Sequence, residues 1–219
     1  MKRGKLFALS RFFVRLGIGR WDAGVEPPDG PAVYVCSHSN LRGPLATLCW
    51  LPFPVRPWVL HVFTEKGTCR TQYRDYTFSR RFGMPGPAAS FAAWAVSGYV
   101  SALMRSLGAI PVYRGMAQLQ VTFRKTVEAL QAGDSVLVFP SVDYTDGSGE
   151  VGEVYDGFLL LERFWRRVSD QPLKFIPLRL DIAGRRITAG EAAVFDRAAG
   201  WKGEMYRVKA ALRAEMGGR

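Results

Sequence analysis

The chain is poor in the residues from which covalent and metal frameworks are built. Among 219 residues there are three cysteines, Cys36, Cys49 and Cys69, and two histidines, His38 and His61. An odd number of cysteines without C-x-x-C spacing indicates neither a disulfide framework nor a zinc site, and the three are read as buried, reduced thiols. Long apolar runs are missing too. A membrane span needs about 20 consecutive apolar residues, and the longest candidate, Phe91 to Met104, stops short at Arg105. The N-terminal MKRGKLFALSRFFVRLG is basic and then apolar, but Arg11 and Arg15 interrupt it, so it lacks the pattern of a secretory signal. The expected location is cytoplasmic, peripheral to the inner face of a membrane. Acidic side chains are scarce: 19 Asp plus Glu stand against 30 Lys plus Arg, a net charge of +11. The imbalance is concentrated in residues 1–110, with 14 basic and 5 acidic side chains. A basic half of this kind fits an anionic partner, whether nucleic acid, an anionic membrane or an acidic carrier protein.

What is plentiful is apolar and aromatic. A content of 48% hydrophobic and 13% aromatic residues excludes disorder and fits a chain that buries a substantial core. Residues 5–16 place Leu6, Leu9, Phe13 and Leu16 on one helical face with Phe12 beside it, while Lys5, Arg11 and Arg15 fall elsewhere. Such a basic amphipathic helix either lies in a bilayer interface, charges toward the headgroups, or packs on its own domain. After the turn-rich WDAGVEPPDG, the run PAVYVCSH reads as a buried strand ending at His38. A helix within 45–54 should stop near Leu51, ahead of Pro52 and Pro54. VRPWVLHVF (55–63) reads as a second strand, with His61 as a satisfied core residue. Residues 66–81 interleave basic and aromatic side chains. Apolar positions 91, 95, 99, 103 and 107, supported by 96, 100 and 104, predict a well-buried helix.

GAIPVYRG reads as a strand, and Leu119, Phe123, Val127 and Leu130 mark an amphipathic helix ended by Gly133. SVLVFPS is a further buried strand. A polar, Gly-rich loop (142–153) follows, then a helix over roughly 155–168, strands in KFIPLRLDI and RRITAGEAAVF, and a polar helix over 201–216. Strands alternating with helices indicate an α/β fold, a single domain with a mixed, mostly parallel sheet flanked by helices. Residues 1–29 are read as an amphipathic helix and connector, and 30–219 as the domain proper. In such sheets ligands gather at the carboxyl ends of strands. His38, Arg114, Ser141 and Arg179 are all delivered toward that edge.

These residues fall within four ordered blocks over roughly residues 30–180. Ser37-His38-Ser39-Asn40-Leu41-Arg42-Gly43-Pro44 parallels N-H-x-x-x-x-D-P. Gly108-Ala109-Ile110-Pro111-Val112-Tyr113-Arg114 matches G-x-I-x-V-x-R in full. Phe139-Pro140-Ser141-Val142-Asp143-Tyr144, followed by Val154-Tyr155-Asp156-Gly157, parallels F-P-E-G-T-R followed by F-K-K-G. Phe175-Ile176-Pro177-Leu178 meets an apolar strand with an internal proline. In this order the blocks resemble the PlsC-like family, the lysophosphatidate (1-acylglycerol-3-phosphate) or glycerolipid acyltransferases. The resemblance implies an O-acyltransferase fold and chemistry, with His38 as the general base that takes a proton from an acceptor hydroxyl. It places Arg114, Ser141 and Gly157 at acceptor-binding positions, Arg114 being suited to a phosphate. The co-substrate would be an acyl thioester, acyl-CoA or acyl carrier protein, with no bound cofactor and no metal. The partners would be a lysophospholipid acceptor, an anionic phospholipid surface and an acyl carrier protein.

The chain departs from the family pattern at two positions. Gly43 stands where the motif has the aspartate that orients the histidine, and Ser141 where it has glutamate. Asp143, Asp75 and Asn40 are the candidates to orient His38 instead. Ser141 lacks the G-x-S-x-G setting of a hydrolase nucleophile. DGSGEVG matches neither a phosphate-binding loop nor a dinucleotide fingerprint. Two other readings accompany the enzyme: a member of the same fold that binds lipid or acyl carrier without turnover, and a nucleic-acid module built on 66–81. The nucleic-acid reading leaves the four blocks unexplained, so no nucleic-acid partner is expected.

Overall fold

The computed structural model describes residues 4–38, 41–113, 116–140 and 156–217. In chain order the elements begin with α1 (Lys5–Ile18), β1 (Asp22–Gly24), β2 (Ala32–Cys36), α2 (Arg42–Trp50) and β3 (Val55–Leu60). They continue with α3 (Lys66–Gln72), α4 (Gly86–Ser106), β4 (Ile110–Val112), α5 (Met116–Gln131) and β5 (Ser135–Val138). Last come α6 (Leu161–Trp165), β6 (Lys174–Asp181), β7 (Arg186–Ala189) and α7 (Trp201–Glu215). The architecture is α/β, with mixed, mostly parallel strand pairing flanked by helices. Contacts group the chain into two compact units, one of 11–55 and 123–219 and the other of 2–10 and 56–122.

In the first unit the strands run in the order β1-β7-β6-β2-β5. β2 is central and parallel to both neighbours, with Val35 opposite Val138 of β5 and Cys36 opposite Leu178 of β6. A parallel strand covered on both faces must be apolar throughout, and all five residues of β2 are buried. Tyr34 and Cys36 face a cluster with Trp50, Leu51, Leu137 and Leu178. Phe175, paired with Val33 and so on the opposite face, starts a chain of ring contacts through Phe195 to Trp201. β6 turns back antiparallel onto β7, and β7 accepts β1 as a short parallel edge strand within the segment expected to be a connector. The helix expected over 155–168 is a 3-10 turn (Asp156–Leu160) running into α6.

α2 ends at Leu51 as the prolines require, and its last carbonyls are met by α1. Arg11 Nε donates to the Cys49 carbonyl at 2.6 Å, and Arg15 Nε to the same oxygen at 2.8 Å. Cations are at home at the negative end of a helix. Two of the charges that an interfacial helix would turn toward headgroups are therefore engaged by the protein, which favours the packed alternative for this part of α1.

In the second unit β3 and β4 pair in parallel, Leu60 opposite Val112. β3 stops earlier than expected, and a 3-10 turn (His61–Phe63) takes its place. The basic, aromatic stretch forms α3 and a π-helical segment (Tyr73–Arg81), both packed on α4. α4 buries Ala89, Ala93, Ser97 and Ser101, an i, i+4 stripe of small residues. That corrects the expectation for this helix, because Phe91, Trp94 and Tyr99 lie on its exposed side. Small side chains let neighbouring backbones approach closely, and that close approach wins over burial of the bulkier stripe. Among the described residues no helix is long and apolar enough to cross a membrane.

Candidate functional site

His38 stands two residues beyond β2, at the carboxyl end of a strand whose neighbours run parallel to it. It is half-buried, with its Nδ1 fully covered. Its ring meets Phe139, the first residue after β5, edge-on at 5.6 Å between centroids. The register explains the meeting: Val35 pairs with Val138, so the two chains leave the sheet side by side. The backbone of His38 is held from the other direction. Gly43 N–H, in the first turn of α2, donates to the His38 carbonyl at 3.2 Å. A Cβ at position 43 would overlap the Ser37 carbonyl oxygen and lie 2.7 Å from that of His38. The start of α2 thus lies so close to the Ser37 and His38 carbonyls that only glycine fits at 43. Thr47 Oγ1 bonds back to the Gly43 carbonyl at 2.7 Å and fixes the turn from inside.

The other sequence-predicted residues are distributed as follows. Gly157 lies in the 3-10 turn before α6, beside Asp156, which pairs with Lys209 at 3.1 Å. Asp75 belongs to the second unit and is engaged by Arg74 through two bonds of 2.6 and 3.0 Å, which hold its carboxyl below the usual range. Asn40, Arg114, Ser141 and Asp143 lie outside the described residues. Arg179, also expected at the strand edge, is exposed and anchors the end of α7, its Nε donating to the Glu215 carbonyl at 3.0 Å. That is a structural task.

His61 occupies the matching place in the second unit, just past β3. Its Nδ1–H donates to the Val112 carbonyl at 3.3 Å, and its ring stacks on Tyr113 at 4.8 Å. It is satisfied as expected, though half-buried at the end of the strand rather than within it. Thr122 Oγ1 donates to the Pro111 carbonyl at 2.8 Å and pins the end of β4, the strand that leads into Arg114. All three cysteines are buried, and burial raises the Cys36 and Cys69 thiols, which makes them poor nucleophiles. Tyr34, unremarked in sequence, is fully buried with a hydroxyl that makes no hydrogen bond among the described residues. Phe139 was equally unremarked as a site residue, although its place directly after a buried strand was the available signal.

Among the described residues no group of three or more His, Cys, Asp and Glu could hold a metal ion. Comparisons of the chain with protein-family models, curated proteins and solved structures give no match.

Proposed function

We propose that the protein is an O-acyltransferase of the glycerolipid type, moving an acyl group from acyl-CoA or acyl carrier protein to the hydroxyl of a lysophospholipid-like acceptor. The observation that carries this reading is the closure of the His38 turn. The H-x-x-x-x-D spacing requires that the fifth residue after the histidine folds back on it, and Gly43 does so through its bond to the His38 carbonyl. In the proposed reaction an acceptor hydroxyl gives its proton to the His38 imidazole as its oxygen forms a bond to the thioester carbonyl carbon. The C–S bond then breaks, and the thiolate leaves with the proton returned by the imidazolium. Histidine is the side chain suited to take up and return a proton near neutral pH. Arg114, from the fully matched second block, would clamp an acceptor phosphate, since a guanidinium grips it bidentately and stays charged.

The test is transfer of a labelled acyl group from acyl-CoA and acyl carrier protein to lysophosphatidate, with wild type and His38→Ala. Product with wild type and a loss of about 10² or more with the variant is the expected result. A second reading has its own observation. Position 43 has no side chain and no room for one, which favours a protein that keeps the fold and binds lipid or acyl carrier without turnover. Equal inertness of wild type and His38→Ala, with binding of the acyl carrier retained, would decide for that reading.

A further inference from the structure

α1 and α4 are turned inside out relative to their apolar patterns. On α1 the residues facing the protein are Phe7, Arg11 and Val14, while Leu9, Phe12, Phe13 and Leu16 are 56–68% exposed. At 100° per residue these four occupy one ridge opposite Phe7. On α4 the small residues are buried, and Phe91 and Trp94, stacked on each other at 6.2 Å, are 72% and 52% exposed. The start of α1, up to Ser10, lies beside α4 and antiparallel to it. Gly4 N–H donates to the Ser106 carbonyl at 3.0 Å, Phe7 N–H to Ser106 Oγ at 2.9 Å, and Ser10 Oγ meets the Tyr99 hydroxyl at 2.8 Å. Gly4 is required there, because a Cβ would overlap Ser106 Oγ.

Neither helix contains an acidic residue, and both ridges end in a cation, exposed Lys5 on α1 and exposed Arg105 on α4. The unit formed by 2–10 and 56–122 has 11 basic and 2 acidic side chains, so it holds +9 of the net +11. Exposed Phe, Trp and Leu ridges flanked by Lys and Arg are what an anionic bilayer interface selects: aromatic rings enter the headgroup layer while cations meet the phosphates. A second copy of the chain fits poorly, since a two-fold contact through this unit would bring together two units of +9 each.

We infer that the outer ridge of α1 and the outer ridge of α4 each dock on anionic lipid bilayers. The inference rests on the reading of the acceptor as a membrane lipid, and it names the part of the chain that reaches it. The experiment is flotation of the whole protein with vesicles of phosphatidylglycerol plus phosphatidylcholine, against phosphatidylcholine alone. Wild type should float with the first and remain below with the second. Phe12→Ser/Phe13→Ser and Phe91→Ser/Trp94→Ser should each lower partitioning roughly tenfold or more, the effect expected when a buried ring is withdrawn. Tyr206→Ser, on the exposed side of α7, should float like wild type, and circular dichroism should show every variant folded. Absence of wild-type flotation, equal recovery on both vesicle types, or undiminished flotation of either ridge variant would overturn the proposal. Loss of a wild-type dimer in those variants, without vesicle binding, would assign the face to a second copy and overturn it too. Acyl transfer to a short-chain, water-soluble acceptor separates the two readings, because it depends on His38 and not on docking.

Discussion

The peptide that carries His38 leaves no space at position 43, and adding one carbon there tests the geometry of the site. In Gly43→Ala the new methyl would overlap the Ser37 carbonyl oxygen and lie 2.7 Å from the His38 oxygen and 3.1 Å from the His38 carbonyl carbon. These are backbone atoms at the end of a fully buried strand, and no rotamer change relieves the contact. Forcing a methyl group into such a place costs about 1–3 kcal/mol. The Gly43 N–H bond to the His38 carbonyl, 3.2 Å long, is stretched by any relief and adds about 0.5–1.5 kcal/mol. Against this, alanine is better than glycine within a helix by up to about 1 kcal/mol. The net is a loss of roughly 1–3 kcal/mol, or a Tm lowered by about 2–10 °C for a chain of this size. Thermal melts of wild type and Gly43→Ala at neutral pH measure it. Gly43→Asp, which supplies the carboxylate of the related motif, begins with the same carbon and meets the same atoms. It should be at least as destabilised and should transfer no more acyl group than wild type. A Gly43→Ala protein that melts at or above the wild-type temperature would refute the argument. So would a Gly43→Asp protein with unchanged Tm and higher turnover.

Two further tests address the first unit. Glu204 accepts two bonds from Arg207, of 2.8 and 2.6 Å, and one from the Asp196 N–H, which together lower its pKa from 4.5 to about 2. A depressed carboxylate stabilises the fold fully above its ordinary value and less as pH falls toward its folded value. The Tm gap between wild type and Glu204→Gln should therefore be constant above about pH 5 and shrink between pH 4.5 and about 2. Glu162 is buried, with Oε1 paired to Arg197 Nε at 2.9 Å and Oε2 accepting the Leu173 N–H at 2.9 Å. Arg197→Ala strands that carboxylate and releases the 169–171 carbonyls, a cost of about 3–5 kcal/mol by urea denaturation, and Glu162→Gln in the same chain should recover part of it.

Local chemistry made some elements legible. Pro52 and Pro54 end α2 at Leu51 because proline cannot continue a helix. Gly133, with φ +80°, ends α5 because only a residue tolerant of that region closes it cheaply. The unbroken apolar run of β2 announced a strand covered on both faces, and hence a histidine at its end. The faces of α1 and α4 were not legible. Periodicity says which residues share a side and leaves open which side goes in. On α4 the answer came from the small stripe at 89, 93, 97 and 101, and on α1 from Arg11 and Arg15 reaching the carbonyls at the end of α2. Both choices depend on what the neighbouring element offers, and nothing within either segment records that. At the site the motif spacing placed Gly43 beside His38, but the tightness of that turn belongs to three-dimensional packing. Asp75, chosen for its charge, is already taken by its sequence neighbour Arg74.

Divided between the two units, the net charge acquires a cause. The first unit has 19 basic and 17 acidic side chains. Many are paired in place: Arg197 with Glu162, Arg207 with Glu204, Arg179 with Glu215, Lys209 with Asp156. Charge there is part of the fold. The second unit has two acidic residues for eleven bases, so internal pairing cannot absorb the excess whatever the side-chain arrangement. Its balance has to come from outside the chain, as counterions or as an anionic partner. A dissolved phosphate would answer the charge and leave the Phe and Trp ridges in water. A bilayer with anionic headgroups answers both, and under the proposed function it would also hold the glycerolipid acceptor. Under the proposed function the docking ridges would concentrate the acceptor and the histidine would act on its hydroxyl.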